Sequence, residues 1–152
     1  EKQMISIVLV DDHPHVRKCI KTLLSSEPDF IIVGEADNGV DALELVTRIK
    51  PDIVILDIKM PGMSGLDVVR HLHRDYPETS TVILSMHNNE AYAVEAFRSG
   101  AKAYILKDSP TEDLVYAIRE VMAGRLFLSP LLTENAVEVC ESVGEDLNNH
   151  SR

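Results

Sequence analysis

The chain has 152 residues, of which 45% are apolar, and it carries a formal net charge of −10. This length and composition favour one compact domain with a short appendage, and they exclude a chain that is disordered throughout. The acidic excess argues against direct binding of nucleic acid by this chain, because contacts to phosphates need clustered Lys and Arg.

Strand-like and helix-like patterns alternate five times. Short apolar runs predict buried strands at residues 4–10, 30–36, 52–56, 81–84 and 101–106. A helical pattern follows each strand: Pro14 fits the first turn of the first helix, and Gly100 and Gly124 end the fourth and fifth. This alternation predicts right-handed βαβ units with helices on both faces of a parallel sheet. Five such units fit a flavodoxin-like α/β fold with strand order 2-1-3-4-5.

The last segment, residues 128–152, has a different pattern. Leu132, Ala136 and Cys140 recur at helical spacing, and Glu residues crowd the remaining positions. This pattern predicts one extra amphipathic helix after the domain. Two interpretations stay open: the helix packs on its own domain or frays in solvent, or it is a linker or dimer-forming helix that leads to a further domain.

Polar residues close four of the predicted strands. They are Asp11 with Asp12, then Asp57, Ser85 and Lys107. In an open parallel sheet, these ends form the crevice where ligands bind. Crowded carboxylates raise each other's pKa unless a cation is present, and Mg²⁺ prefers such oxygen ligands. An Asp carboxylate can also attack phosphorus, and an ammonium and a hydroxyl can stabilise the transferred phosphoryl group.

The motifs around these residues support a family assignment. MISIVLVDDHPHVR, LDIKMPGMSGLDVV, VILSMH and AYILKD together resemble the receiver domain of two-component response regulators. The resemblance covers about residues 4–127, so we take residues 1–127 as the receiver domain. It implies that Asp57 is the phosphoacceptor. It also implies a Mg²⁺ site formed by Asp12, Asp57 and the main-chain carbonyl of Lys59, with Asp11 acting through water.

The same resemblance implies roles for residues on the later strands. Ser85 is the switch hydroxyl, Lys107 binds the phosphoryl group, and Tyr104 matches the aromatic switch position. Lys59 and His87 lie two residues after the acceptor and the switch hydroxyl, respectively. We expect these two side chains to tune dephosphorylation by impeding or orienting the hydrolytic water.

Further details are similar to the NarL/FixJ (LuxR-type) family: the DDHPHVR start, SMH after strand four, LKD on strand five and GRLFLSP. Such proteins usually carry a C-terminal helix-turn-helix that binds DNA, for which this sequence has no counterpart. The resemblance implies a sensor histidine kinase as partner, a homodimer, and DNA binding only through a further domain. It implies a switch rather than an enzyme that acts on separate substrates.

Two alternatives remain open. A stand-alone or phosphorylation-independent receiver would serve for dimerisation or interaction, but such chains usually lose the acidic pair, the acceptor or the lysine. A phosphatase with an Asp nucleophile needs similar groups, but it places the nucleophile in a DxD motif and carries a cap that this chain lacks.

The sequence indicates neither a membrane-spanning segment nor a disulfide framework. No apolar run approaches the ~18 residues of a membrane-spanning helix, and the start lacks the form of a signal peptide. Two cysteines, Cys19 and Cys140, do not make a disulfide framework. We therefore expect a cytoplasmic chain with no membrane partner. We also expect Cys19, on an apolar helical face, to be a small core residue.

Overall fold

Strands and helices alternate in the computed structural model, which describes residues 3–109 and 111–129. The strands are β1 (Ile5–Val10), β2 (Phe30–Ala36), β3 (Ile53–Leu56), β4 (Ser80–Ser85), β5 (Ala103–Leu106) and β6 (Phe127–Leu128). The helices are α1 (Pro14–Leu24), α2 (Gly39–Ile49), α3 (Gly65–Asp75), α4 (Glu90–Ser99) and α5 (Thr111–Met122).

The strands form one parallel sheet in the order β2-β1-β3-β4-β5-β6. The predicted order of the first five strands is confirmed. The prediction of only five strands was wrong, because β6 pairs with the open edge of β5. Its two residues are too few to give a periodic pattern. Residues 130–152, which make up nearly all of the amphipathic helix and tail predicted for residues 128–152, lie outside the described residues.

Helices cover both faces of the sheet and make two hydrophobic clusters. Helices α2, α3 and α4 pack on one face, and α1 and α5 pack on the other. Strand β3 shows how the faces divide: Val54 and Leu56 join the first cluster, whereas Ile53 and Ile55 join the second. All four side chains are buried, as expected for a strand without polar alternation.

The predicted helix ends are mostly confirmed. Pro14 occupies the first turn of α1, and Gly100 ends α4 with a left-handed φ of 114° that favours glycine. One prediction about α1 was wrong: Cys19 is exposed, because the buried face of this helix is carried by Ile20 and Leu24. No helix among the described residues is long and apolar enough to cross a membrane.

Candidate functional site

The predicted site residues gather at one edge of the sheet. The carboxyl ends of β1, β3, β4 and β5 carry Asp11, Asp57, Ser85 and Lys107. Because these four strands are neighbours, residues distant in sequence meet in one cleft. Main-chain hydrogen bonds fix the strand ends: Asp57 N donates to Val10 O at 3.2 Å, and Lys107 N donates to Ser85 O at 2.8 Å.

An ammonium group joins two of the carboxylates. Lys107 Nζ donates to Asp57 Oδ2 at 2.8 Å and to Asp11 Oδ2 at 3.0 Å. Burial by itself lowers the pKa of Lys107, but the hydrogen bonds to Asp57 and Asp11 outweigh it and hold the pKa above its usual value. Lys107 therefore stays protonated and neutralises part of the acidic group.

The acidic group is compact enough to hold a cation. One ligand atom from each of Asp11, Asp12, His13 and Asp57 lies within 4.8 Å of the others. Burial raises the pKa of Asp11. The main-chain N–H of His13 and the ammonium of Lys107 more than compensate, so this pKa lies below its usual value. Asp11 is therefore a carboxylate at neutral pH.

One oxygen of this group lacks a hydrogen-bond donor. Asp12 Oδ1 is buried and accepts no hydrogen bond from the described residues, although His13 Nδ1 lies 3.0 Å away. That nitrogen instead makes a hydrogen bond of 2.9 Å with Asp11 Oδ1. A buried carboxylate oxygen without a donor is a ready ligand for a hard cation. The residues present thus fit a Mg²⁺ ion.

A glycine after the acceptor lets helix α3 begin directly against it. Gly65 N donates to Ile58 O at 2.7 Å, and a Cβ at Gly65 would clash with the main-chain oxygen of Asp57. Ser64 caps the same helix by accepting from Asp67 N. The backbone that carries Asp57 is therefore fixed from both sides, by the sheet and by the first turn of α3.

The two predicted switch residues meet through the backbone of His87. Ser85 is fully buried, and its Oγ accepts a hydrogen bond from His87 N at 3.1 Å. Tyr104 is also fully buried, and its hydroxyl donates to His87 O at 2.7 Å. Burial raises the pKa of Tyr104. Its side chain points inward and holds the segment between β4 and α4.

Three contacts of the site were not predicted from the sequence. His13 makes hydrogen bonds to Asp11 Oδ1, and its place directly after Asp12 was a signal that could have found it. Tyr92, on α4, stacks on His87 with ring centroids 4.7 Å apart, and no sequence pattern marked it. Lys59 N donates to Asp57 Oδ1 at 3.2 Å, while metal binding by the Lys59 carbonyl stays a prediction.

Comparison with known proteins identifies the family. Residues 7–119 match the model of the response regulator receiver domain. The chain is 41% identical over 128 residues to the nitrate/nitrite response regulator protein NarL of Escherichia coli K12, covering 84% of this chain and 59% of that protein. It is 35% identical over 143 residues to the transcriptional regulatory protein DegU of Brevibacillus brevis, covering 93% of this chain and 61% of that protein.

A solved structure agrees in both fold and sequence. A two-component response regulator of the LuxR family from Aurantimonas sp. SI85-9A1 superposes with a TM-score of 0.82 at 33% identity, covering 95% of this chain and 98% of that chain. By the coverages of the two sequence relatives, the present chain spans about three fifths of the length of NarL and DegU. It belongs to the response regulator receiver family and is a receiver domain of the NarL/LuxR type.

Proposed function

We propose that this receiver accepts a phosphoryl group on Asp57 from the phosphohistidine of a sensor histidine kinase. A carboxylate oxygen of Asp57 forms the new bond to phosphorus, and the bond from phosphorus to the histidine nitrogen breaks. The imidazole leaves with that electron pair. The contact that carries this proposal is the 2.8 Å hydrogen bond from Lys107 to Asp57, whose carboxylate has a ligand atom within 4.8 Å of those of Asp11 and Asp12.

We propose Mg²⁺ as the cofactor. Asp12, Asp57 and the main-chain carbonyl of Lys59 would hold the ion, with Asp11 acting through water. When bound, Mg²⁺ neutralises charge on the phosphoryl oxygens. The donor set supports this choice, because carboxylate and carbonyl oxygens suit a hard cation. Lys107 adds a second positive charge from the chain itself.

The phosphoryl group would then bias a two-state switch. Ser85 Oγ, which accepts from His87 N, would turn its own proton toward a phosphoryl oxygen. Tyr104 is attached to the same residue through His87 O, so a shift of the loop after β4 carries the aromatic switch with it. Helix α4 begins a few residues later, and its face would present the change to a partner.

We also propose an output for the whole protein. The relatives named for transcriptional regulation and nitrate response are longer than this chain. We infer that the protein forms a homodimer and binds DNA only through a further C-terminal domain. We also infer that it is a cytoplasmic regulator with no membrane partner. We further propose that the chain is not an enzyme, since its substrate is its own aspartate and its only further chemistry is hydrolysis of that phosphoryl group.

Titration with beryllofluoride, a phosphoryl mimic, tests the proposal. In the presence of Mg²⁺, we expect amide NMR shifts at Ser85, His87 and Tyr104 in the parent protein. The Asp57→Asn variant keeps the shape but loses the anionic oxygen, and we expect it to show no such shifts. Absence of any response in the parent would favour a phosphorylation-independent receiver. Turnover of small phosphate esters would instead favour a phosphatase.

A further inference from the structure

Tyr92 lies beside the side chains of Lys59 and His87, the residues two positions after the acceptor and the switch hydroxyl. Its ring stacks on His87 with centroids 4.7 Å apart, and Lys59 Nζ lies 6.0 Å from the centre of the same ring. Lys59 comes from the loop after β3 and His87 from the loop after β4. One aromatic ring therefore joins the two loops that border the cleft.

The Tyr92 ring is anchored to the core of the domain through helix α4. It lies in the first turn of α4, where Tyr92 N donates to Asn89 O at 3.1 Å and Asn89 Oδ1 caps the helix by accepting from Ala91 N at 2.8 Å. Its half-buried ring also packs against the cluster under α2, α3 and α4. The ring is thus fixed to the core rather than to the loops that it contacts.

His87 has three separate attachments. Its main-chain N–H and carbonyl bind Ser85 and Tyr104, and its imidazole stacks on Tyr92. The first two fix its backbone, and among the described residues the contact with Tyr92 fixes the direction of the ring. Lys59 is exposed, and its contact with the same ring is of the cation–π kind.

We propose that Tyr92 is a positioning residue that holds Lys59 and His87 over the opening of the cleft and so prolongs the life of the phosphoryl group. This inference rests on the proposed phosphorylation of Asp57. In hydrolysis, a water oxygen bonds to phosphorus while the bond to Asp57 breaks, and the water proton goes to solvent. The Asp57 side chain is buried, so an in-line water must pass the side chains at the opening. Two ordered side chains there restrict its approach.

The test compares decay rates of the aspartyl-phosphate. The protein is phosphorylated with acetyl phosphate and Mg²⁺, the donor is removed, and the remaining phosphoprotein is followed with time. We expect Tyr92→Leu to accelerate decay by about two- to tenfold, the factor that one aromatic contact represents. Tyr92→Phe keeps the ring and should decay like the parent. Tyr116→Leu, a matched change on exposed α5 surface, should also leave decay unchanged.

The same substitution in a second protein background tests whether Tyr92 acts by positioning Lys59 and His87 or through a general effect on the structure. In a Lys59→Ala/His87→Ala protein, Tyr92→Leu should have no further effect, because Tyr92 acts only through those side chains. Equal acceleration in both backgrounds overturns the inference. The imidazole NMR signals of His87 should lose their ring-current shift in Tyr92→Leu and keep it in Tyr92→Phe. If Tyr92→Leu unfolds, Tyr92→Met provides a second test, because the Met side chain is similar in volume to Leu.

The outcomes also separate this inference from the proposed function. If the parent forms aspartyl-phosphate on Asp57 and Tyr92→Leu decays at the parent rate, only the role of Tyr92 is refuted. If the parent forms none, the proposed function fails and the inference fails with it.

Discussion

Lys107 and Asp57 are fifty positions apart in sequence, and their side chains meet in a hydrogen bond of 2.8 Å. The same ammonium reaches Asp11 at 3.0 Å. Both carboxylates are buried, so this one cation offsets two negative charges in a cleft where their repulsion is poorly screened.

Removal of that cation should destabilise the fold. We expect Lys107→Met to lower the free energy of unfolding at pH 7, without Mg²⁺, by about 2 kcal/mol. The cost is smaller than the roughly 3–5 kcal/mol of a fully buried broken pair, because the cleft opens to water. Urea unfolding measures the change. Lys18→Met is the control, since Lys18 is exposed and forms no ion pair within the described ranges. Equal stability of parent and Lys107→Met would contradict the prediction.

The same pair predicts a pH dependence. The pKa of Asp11 in the folded chain lies below its ordinary value of 3.8, so the folded state binds fewer protons than the unfolded state near that pH. The stabilisation is fully present above pH 3.8 and is lost as the pH falls further. The Lys107→Met substitution removes the ammonium, which is part of the cause of the lowered Asp11 pKa. The stability difference between parent and variant should therefore narrow on acidification below that pH. A difference that stays constant from pH 6 downward would refute this linkage.

Metal binding should depend on Asp12. We expect Mg²⁺ to raise the melting temperature of the parent protein, because a ligand that binds only the folded state stabilises it. Asp12→Asn should lose most of that rise, since the unpaired Oδ1 is the readiest ligand. Glu78→Gln removes an exposed charge just before β4, at the other end of that strand from Ser85, and should keep the full effect. An equal Mg²⁺ response in Asp12→Asn and the parent would exclude this site.

The hydroxyl of Tyr104 should contribute to stability through His87. Tyr104→Phe keeps the packed ring but leaves the His87 carbonyl without its donor, which should cost about 1 kcal/mol. Amide exchange in residues 86–89 should also accelerate. Tyr116→Phe, on an exposed ring, is the matched control. If both variants unfold at the same urea concentration, the hydrogen bond has no net effect.

Local patterns predicted much of this architecture because strands and the cleft follow simple rules. An apolar run that ends in a polar residue marks both a strand and its functional end, which located Asp11, Asp57, Ser85 and Lys107. The missed features depend on side-chain direction or on pairing between distant segments. Strand β6 exists only because β5 offers an edge, and the contact of Tyr92 with His87 joins a helix to a loop.

The phase of a helix was also hard to read from spacing alone. Cys19 precedes the buried Ile20, and a rotation of one position moves a residue from the core to the surface. The same uncertainty hid His13, whose ring turns back to the carboxylates instead of following α1. Such details follow from packing rather than from periodicity.

The most direct test of the central claim is chemical mapping of the phosphorylated residue. The protein is treated with acetyl phosphate and Mg²⁺, then reduced with borohydride, which converts an aspartyl-phosphate to homoserine, and the digest is sequenced by mass spectrometry. We predict homoserine at position 57, dependent on Mg²⁺ and absent from the Asp57→Asn variant. Homoserine at another aspartate in the folded parent, or persistent labelling of Asp57→Asn, would contradict the assignment of Asp57 as the phosphoacceptor.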